Sequence, residues 1–252
     1  MKVVSFTIFK GGTGKTTSSV NTAVALLRRK KRVLLVDLDQ QASATRYLGI
    51  DPESTPSLYQ VFMNTRSIAS AVRKTAAGVD MLTANSYLAA IEEALEPGDE
   101  LKLSALLTPL RAEYDFIILD SPPGKARLNY NALAASDIVI ITSAAERMAL
   151  DGVADTIGHI QRHLWGKYPE LEHQELRILF TMYRATTNHA PAVVASAQKI
   201  WRDNILGVRI PHAAIFAQSY DQKQSVFDIS PRHPGALAYE ALADLLLPYE
   251  NT

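Results

Sequence analysis

Short runs of Val, Ile and Leu recur along the chain, separated by longer stretches in which apolar residues return every third or fourth position. The first pattern suits strands buried on both faces and the second suits amphipathic helices, so their alternation predicts βαβ units in a doubly wound, mostly parallel α/β sheet. Six strands are expected, over residues 3–8, 33–37, 79–82, 116–120, 138–142 and 176–181. Helices are expected over 15–29, 87–95, 101–112, 150–164, 192–202 and 236–247. The stretch 51–75 has no readable period. With no repeat, low-complexity tract or Gly/Ser linker, one domain over 1–252 is the economical reading.

Composition narrows the function. A chain of 252 residues at 47% hydrophobic content can fill one α/β core. Its 26 basic residues balance 26 acidic ones, so any contact with nucleic acid must come from a local patch. Without cysteine, a disulfide framework, a thiolate zinc site and a thiolate-ligated iron–sulfur cluster are excluded. Met1 to Phe6 runs directly into the first strand without a signal-peptide pattern, and no apolar run approaches the ~20 residues of a membrane span. A cytoplasmic protein without a membrane anchor is the expectation.

The densest chemistry lies in Lys10-Gly11-Gly12-Thr13-Gly14-Lys15-Thr16-Thr17, between the first strand and the first helix. That is the context of a phosphate-binding loop. Glycines let the backbone turn tightly and aim N–H groups at phosphate oxygens, while the helix N-terminus adds partial positive charge. Lys15 then reaches the β and γ phosphates, the Thr16 hydroxyl ligates Mg²⁺, and Thr17 bonds the α phosphate. A chance match to six specified residues is on the order of 10⁻⁵ for a chain of this length. Asp37 and Asp39, two apart where the second strand ends, suit support of a metal-bound water shell and orientation of an attacking water; a helix-capping turn is the other reading of that spacing.

The form K-G-G-x-G-K-T has Phe9 where the general pattern has its first glycine, and it carries an extra lysine instead. It resembles the deviant Walker A box of the ParA/MinD family of dimeric P-loop ATPases. Asp37-Leu38-Asp39-Gln40-Gln41-Ala42-Ser43-Ala44-Thr45 is similar to the family's D-x-D-P-Q-x-x-x-T motif, and Phe116 to Pro123 to its Walker B strand and turn. Thr181-Met182-Tyr183, Ile210-Pro211 and Gly235 to Tyr239 are similar to the carboxyl half of the ParA branch. The resemblance implies Mg-ATP hydrolysis, with Asp39 positioning the nucleophilic water and contributing to the metal site, Asp37 as helper, and Asp120 in the outer Mg²⁺ shell. It further implies that Lys10 crosses a homodimer interface to the partner's phosphates, and that Met182 and Pro211 flank adenine, with core packing as their ordinary alternative.

Absence of cysteine argues against the reductase-type branch. The ending Leu245-Leu246-Leu247-Pro248-Tyr249-Glu250-Asn251-Thr252 is not the basic amphipathic helix of the membrane-binding MinD branch. The ParA branch implies an ATP-dependent dimer on non-specific nucleoid DNA, with a stimulating ParB-like or adaptor partner and a DNA locus or protein assembly as cargo. Between Arg184 and Arg232, six basic residues face three aspartates, which makes Arg184, Lys199, Arg202 and Lys223 the DNA-contact candidates; solvated helix faces produce the same bias. The basic run Arg28 to Arg32 reads instead as the cap of the first helix.

Two departures bear on the resemblance. Gln40 stands where the family has proline, and His212-Ala213-Ala214-Ile215-Phe216-Ala217 stands where it commonly has arginines. Ile215 and Phe216 fit either a partner surface or the core. A small-molecule ATP-dependent ligase on the same fold, of the dethiobiotin or cobyrinate type, is the alternative of a different class. A non-hydrolysing regulatory protein is the third, if Gln40 disables water positioning.

Overall fold

Strands apolar on both sides need cover on both faces. In a computed structural model describing residues 1–251, the strands are β1 (Lys2–Thr7), β2 (Val33–Asp37), β3 (Arg73–Lys74), β4 (Asp80–Leu82), β5 (Phe116–Asp120), β6 (Ile138–Ala144), β7 (Glu175–Tyr183) and β8 (Ile205–Pro211). They form one sheet in the order β3-β4-β2-β5-β1-β6-β7-β8, parallel except for the β3–β4 pair. Helices follow as α1 (Lys15–Arg28), α2 (Ser43–Tyr47), α3 (Leu58–Phe62), α4 (Ile68–Ala71), α5 (Leu88–Ala94), α6 (Lys102–Leu107), α7 (Arg127–Ala135), α8 (Arg147–His159), α9 (His189–Trp201), α10 (Ile215–Asp221), α11 (Val226–Ile229) and α12 (Pro234–Leu246).

Alternate residues of β1 serve different cores. Val4 and Phe6 pack under α1 and α12 with Val20, Val24, Tyr239 and Leu242. Val3 faces the opposite side with Leu88, Leu103 and Leu128 from α5, α6 and α7. A third cluster, built on Ile141, Ile178 and Phe180, is covered by α8 and α9 through Val153 and Val194.

All six expected strands are present, and β3 and β8 are additional. Gly207 and Arg209 interrupt the apolar run of β8, which tolerates them because it lies at the edge of the sheet. The unforeseen α7 buries two asparagines, which break its apolar period. Asn129 accepts from Thr7 Oγ1 (3.0 Å) and donates to the Gly124 carbonyl (2.8 Å), and Asn131 Oδ1 accepts from the Leu103 amide (3.0 Å). The helix expected over 101–112 ends early because Pro109 leaves only a 3₁₀ turn, Thr108–Leu110.

The basic run after α1 is more than a cap. Arg28 lies in the last turn of α1 and pairs with Glu240, while Arg29 makes a two-point contact with Asp244 at 2.7 and 2.9 Å, joining α1 to α12. Arg32 pairs with Asp115. Exposed pairs of this kind contribute about 0–1 kcal/mol each, so they orient α12 more than they stabilise the fold.

At the end of α8 the chain continues through a π turn, Ile160–Trp165, which stacks His163 on His159 with ring centroids 4.1 Å apart. Burial, then His163, Lys125 and Arg162, push the His159 imidazole down to about 4. Its Nε2 meets the Tyr130 hydroxyl, which donates to the neutral ring. Because the folded value lies below the unfolded value near 6.5, the unfolded chain takes the proton first. This contribution is complete above pH ~6.5 and is lost as pH falls toward ~4. Thermal unfolding from pH 7 to 4 should therefore show a shallower acid loss in His159→Gln than in wild type; parallel curves would exclude the effect.

Candidate nucleotide site

The strand order places β1 between β5 and β6, where the connections diverge to opposite sides, and ligands of such sheets bind beyond the carboxyl ends of the strands. Three of those ends carry the expected chemistry: residues 8–14 after β1, 38–42 after β2, and Asp120 closing β5.

In the loop after β1, Gly12 and Gly14 take left-handed φ values of 73° and 79°, which side-chain-bearing residues adopt only with strain. Gly14 also caps α1. The loop is held from outside: Thr181 Oγ1 donates to the Thr13 carbonyl (2.8 Å), and Thr13 and Thr142 hydroxyls lie 2.9 Å apart. Lys15 is buried, and its Nζ donates to the Lys10 carbonyl at 3.4 Å. Burial pulls its ammonium below the usual range, and the Asp120 and Asp39 carboxylates oppose that shift.

Asp37 and Asp120 are register partners on β2 and β5, both fully buried. Burial raises both carboxyls, and Asp120 raises Asp37 further. The Thr16 and Ser19 hydroxyls and Lys15 counter the rise at Asp120. Asp37 is occupied as a brace: Oδ1 accepts the Asp39 amide (3.1 Å), and Oδ2 accepts the amide and hydroxyl of Thr45 (2.9 and 2.8 Å). Asp39 is half-buried in front of it. Its Oδ1 accepts the Gln41 amide (2.9 Å) and its carbonyl the Ala42 amide (2.7 Å), so the turn is fixed with Gln40 in the family's proline position.

Asp39 and residues 11–17 border a cavity of about 380 Å³. A second cavity of about 160 Å³, lined by Pro211, Ile210 and Phe216, shares Gly14, Thr17 and Met182 with the first. The loop side of this pair suits phosphates and the side beyond Met182 suits an apolar ring. Met182 sits where they meet, half-exposed and at a left-handed φ of 51°. Phe216, read from sequence as a partner-surface or core residue, packs against the core and lines the base cavity, and Tyr220, which sequence reasoning missed, lines the phosphate cavity. Neither belongs to a spaced motif, and only the fold brings α10 to this edge. Ile215 is buried.

The residues present fit Mg²⁺. Asp120 Oδ1 accepts from Ser19 Oγ (3.0 Å), whereas Oδ2 is buried with no hydrogen-bond partner. The Thr16 hydroxyl helps hold the same carboxyl down. Hard oxygen donors of this kind suit Mg²⁺, which takes one or two protein groups with phosphates and water. No cluster of three or more His, Cys, Asp or Glu metal ligands occurs among the described residues.

The DNA-contact candidates are all exposed and lie on different elements. Arg184 follows β7, Lys199 lies in the last turn of α9, Arg202 directly follows that helix, and Lys223 follows α10.

A family model described as an AAA domain matches residues 1–171. The chromosome-partitioning ATPase Soj of Thermus thermophilus is 36% identical over 238 residues, covering 93% of this chain and 91% of Soj. The chain belongs to the ParA/MinD superfamily. Apo McdA of Cyanothece shares its fold at a TM-score of 0.86 and 21% identity, over 98% of this chain and 99% of McdA. Cobyrinic acid a,c-diamide synthase of Mycobacterium smegmatis, solved with ADP and magnesium, superposes at 0.81 with 29% identity, over 100% and 96% of the two chains. Membership of ParA/MinD makes the protein a P-loop ATPase of a family that uses nucleotide and Mg²⁺.

Proposed function

We propose that this ParA-type ATPase binds Mg-ATP across the paired cavities, closes as a homodimer on non-specific nucleoid DNA, and hydrolyses ATP to segregate or position a cargo. A ParB-like or adaptor protein stimulates the cycle, and the cargo is a DNA locus or a protein assembly. The observation carrying this reading is the pair of adjoining cavities that share Gly14, Thr17 and Met182, with Lys15, Thr16 and Asp39 bordering the phosphate end. Thr16 and Asp120 would hold the Mg²⁺, which would neutralise charge on the phosphates. Lys15 binds the β and γ phosphates, and Asp39 accepts a proton from the attacking water. Lys10 is exposed at the cavity edge, available to a second copy. No helix among the described residues is long and apolar enough to cross a membrane.

The test is DNA binding and molecular size with ADP, ATP and a non-hydrolysable analogue over a salt series. ATP-specific dimers that bind DNA with a steep salt dependence are expected; equal DNA binding in every nucleotide state would overturn the proposal. Thr16→Val, which keeps volume but removes the hydroxyl, should raise the Mg²⁺ concentration needed for half-maximal turnover by about 10–100-fold. The likeness to the diamide synthase supports the ligase reading as the second one. A ligase would turn over ATP only with an acid co-substrate, whereas the proposed ATPase needs none.

A further inference from the structure

One wall of the base cavity is an aromatic contact between α10 and α12. Phe216, on α10, presents its ring to the cavity beside Ile210 and Pro211. The ring meets Tyr239 edge-on, with centroids 5.8 Å apart at 80°. Tyr239 is itself buried, its hydroxyl 3.1 Å from Ser18 Oγ on α1. On another side the ring touches Gly235 in the first turn of α12, where an added Cβ would stand 2.7 Å from Cζ and 3.1 Å from Cε1. Gly235 lies in a regular helix and is not among the residues with positive φ. Space for the ring, not backbone conformation, is what requires glycine here. Tyr220, one helical turn after Phe216 and so on the same face, lines the phosphate cavity.

We infer that Phe216, seated against Gly235, is a specificity-determining residue that sets the depth of the base cavity for a purine. A two-ring base fills the volume next to the Phe216 ring, whereas a one-ring base leaves a gap there and forfeits its dispersion contacts. A Cβ at position 235 drives the ring toward the cavity, into the part that only a purine occupies.

This inference rests on the nucleotide reading above, and the experiment separates the two. ADP and UDP compete against a fluorescent ADP analogue on wild type, Gly235→Ala, Phe216→Leu and the double variant, with the unfolding temperature of each recorded. Gly235→Ala should weaken ADP about tenfold and UDP less than about twofold. The double variant, in which the shorter side chain makes room for the Cβ, should recover ADP to within about threefold of wild type. Should Gly235→Ala fail to fold, Phe216→Leu alone should weaken ADP about threefold and leave UDP unchanged. An unchanged ADP-to-UDP ratio in every variant that folds, or a Gly235→Ala defect that Phe216→Leu does not relieve, would overturn the inference. Wild type that fails to bind ADP would instead remove the nucleotide reading beneath it.

Discussion

Lys10→Ala is expected to lower ATP turnover about 10³-fold, the scale on which a cation supplied across an interface acts in phosphoryl transfer. ADP binding to the monomer should hold within about twofold, since in the isolated chain it is the Lys10 carbonyl, not its side chain, that meets Lys15 Nζ. The asymmetry follows from position: Lys15 is buried in its own phosphate site, whereas Lys10 is exposed. Mixing gives a sharper check. Lys10→Ala and Asp39→Ala protomers, each inactive alone, should regain turnover together, because a mixed dimer contains one site with both an intact Asp39 and an intact Lys10 from its neighbour. Phosphate release measured on the two variants and their mixture decides it, and full activity of Lys10→Ala alone would sink the dimeric mechanism.

Much of the phosphate site is local in sequence and therefore legible. The glycines that need positive φ, the buried lysine and Thr16 all fall within residues 12–16, and Asp120 closes a strand whose other four residues are apolar. The base cavity is different. Met182 and Pro211 were reachable only through resemblance, and Phe216 and Tyr220 arrive on a seven-residue helix too short for a period to show. The α7 asparagines hid their helix for a related reason, since polar residues that satisfy one another inside a core look like surface in a one-dimensional pattern. Charge was least informative, because the basic residues of 184–232 fall on several different elements, after β7, along α9 and after α10.

Asp39→Ala is expected to lower turnover by about 10²–10⁴, the range for loss of a proton acceptor, while ATP binding persists and the ATP-bound dimer accumulates. The two aspartates after β2 should separate cleanly in this respect. Asp39 is half-buried at the cavity and holds only the Gln41 amide with its carboxylate, so its loss removes chemistry and little structure. Asp37 is fully buried and accepts three hydrogen bonds that fix both Asp39 and the start of α2. Asp37→Ala would leave buried donors unpaired at a cost of about 1–3 kcal/mol each, and should lower the unfolding temperature before it says anything about catalysis. Single-turnover hydrolysis and nucleotide binding, run beside thermal unfolding on both variants, distinguish the roles. If Asp39→Ala turned over normally, water positioning would have to come from another group at the phosphate end, and the brace at Asp37 would be serving the shape of the turn alone.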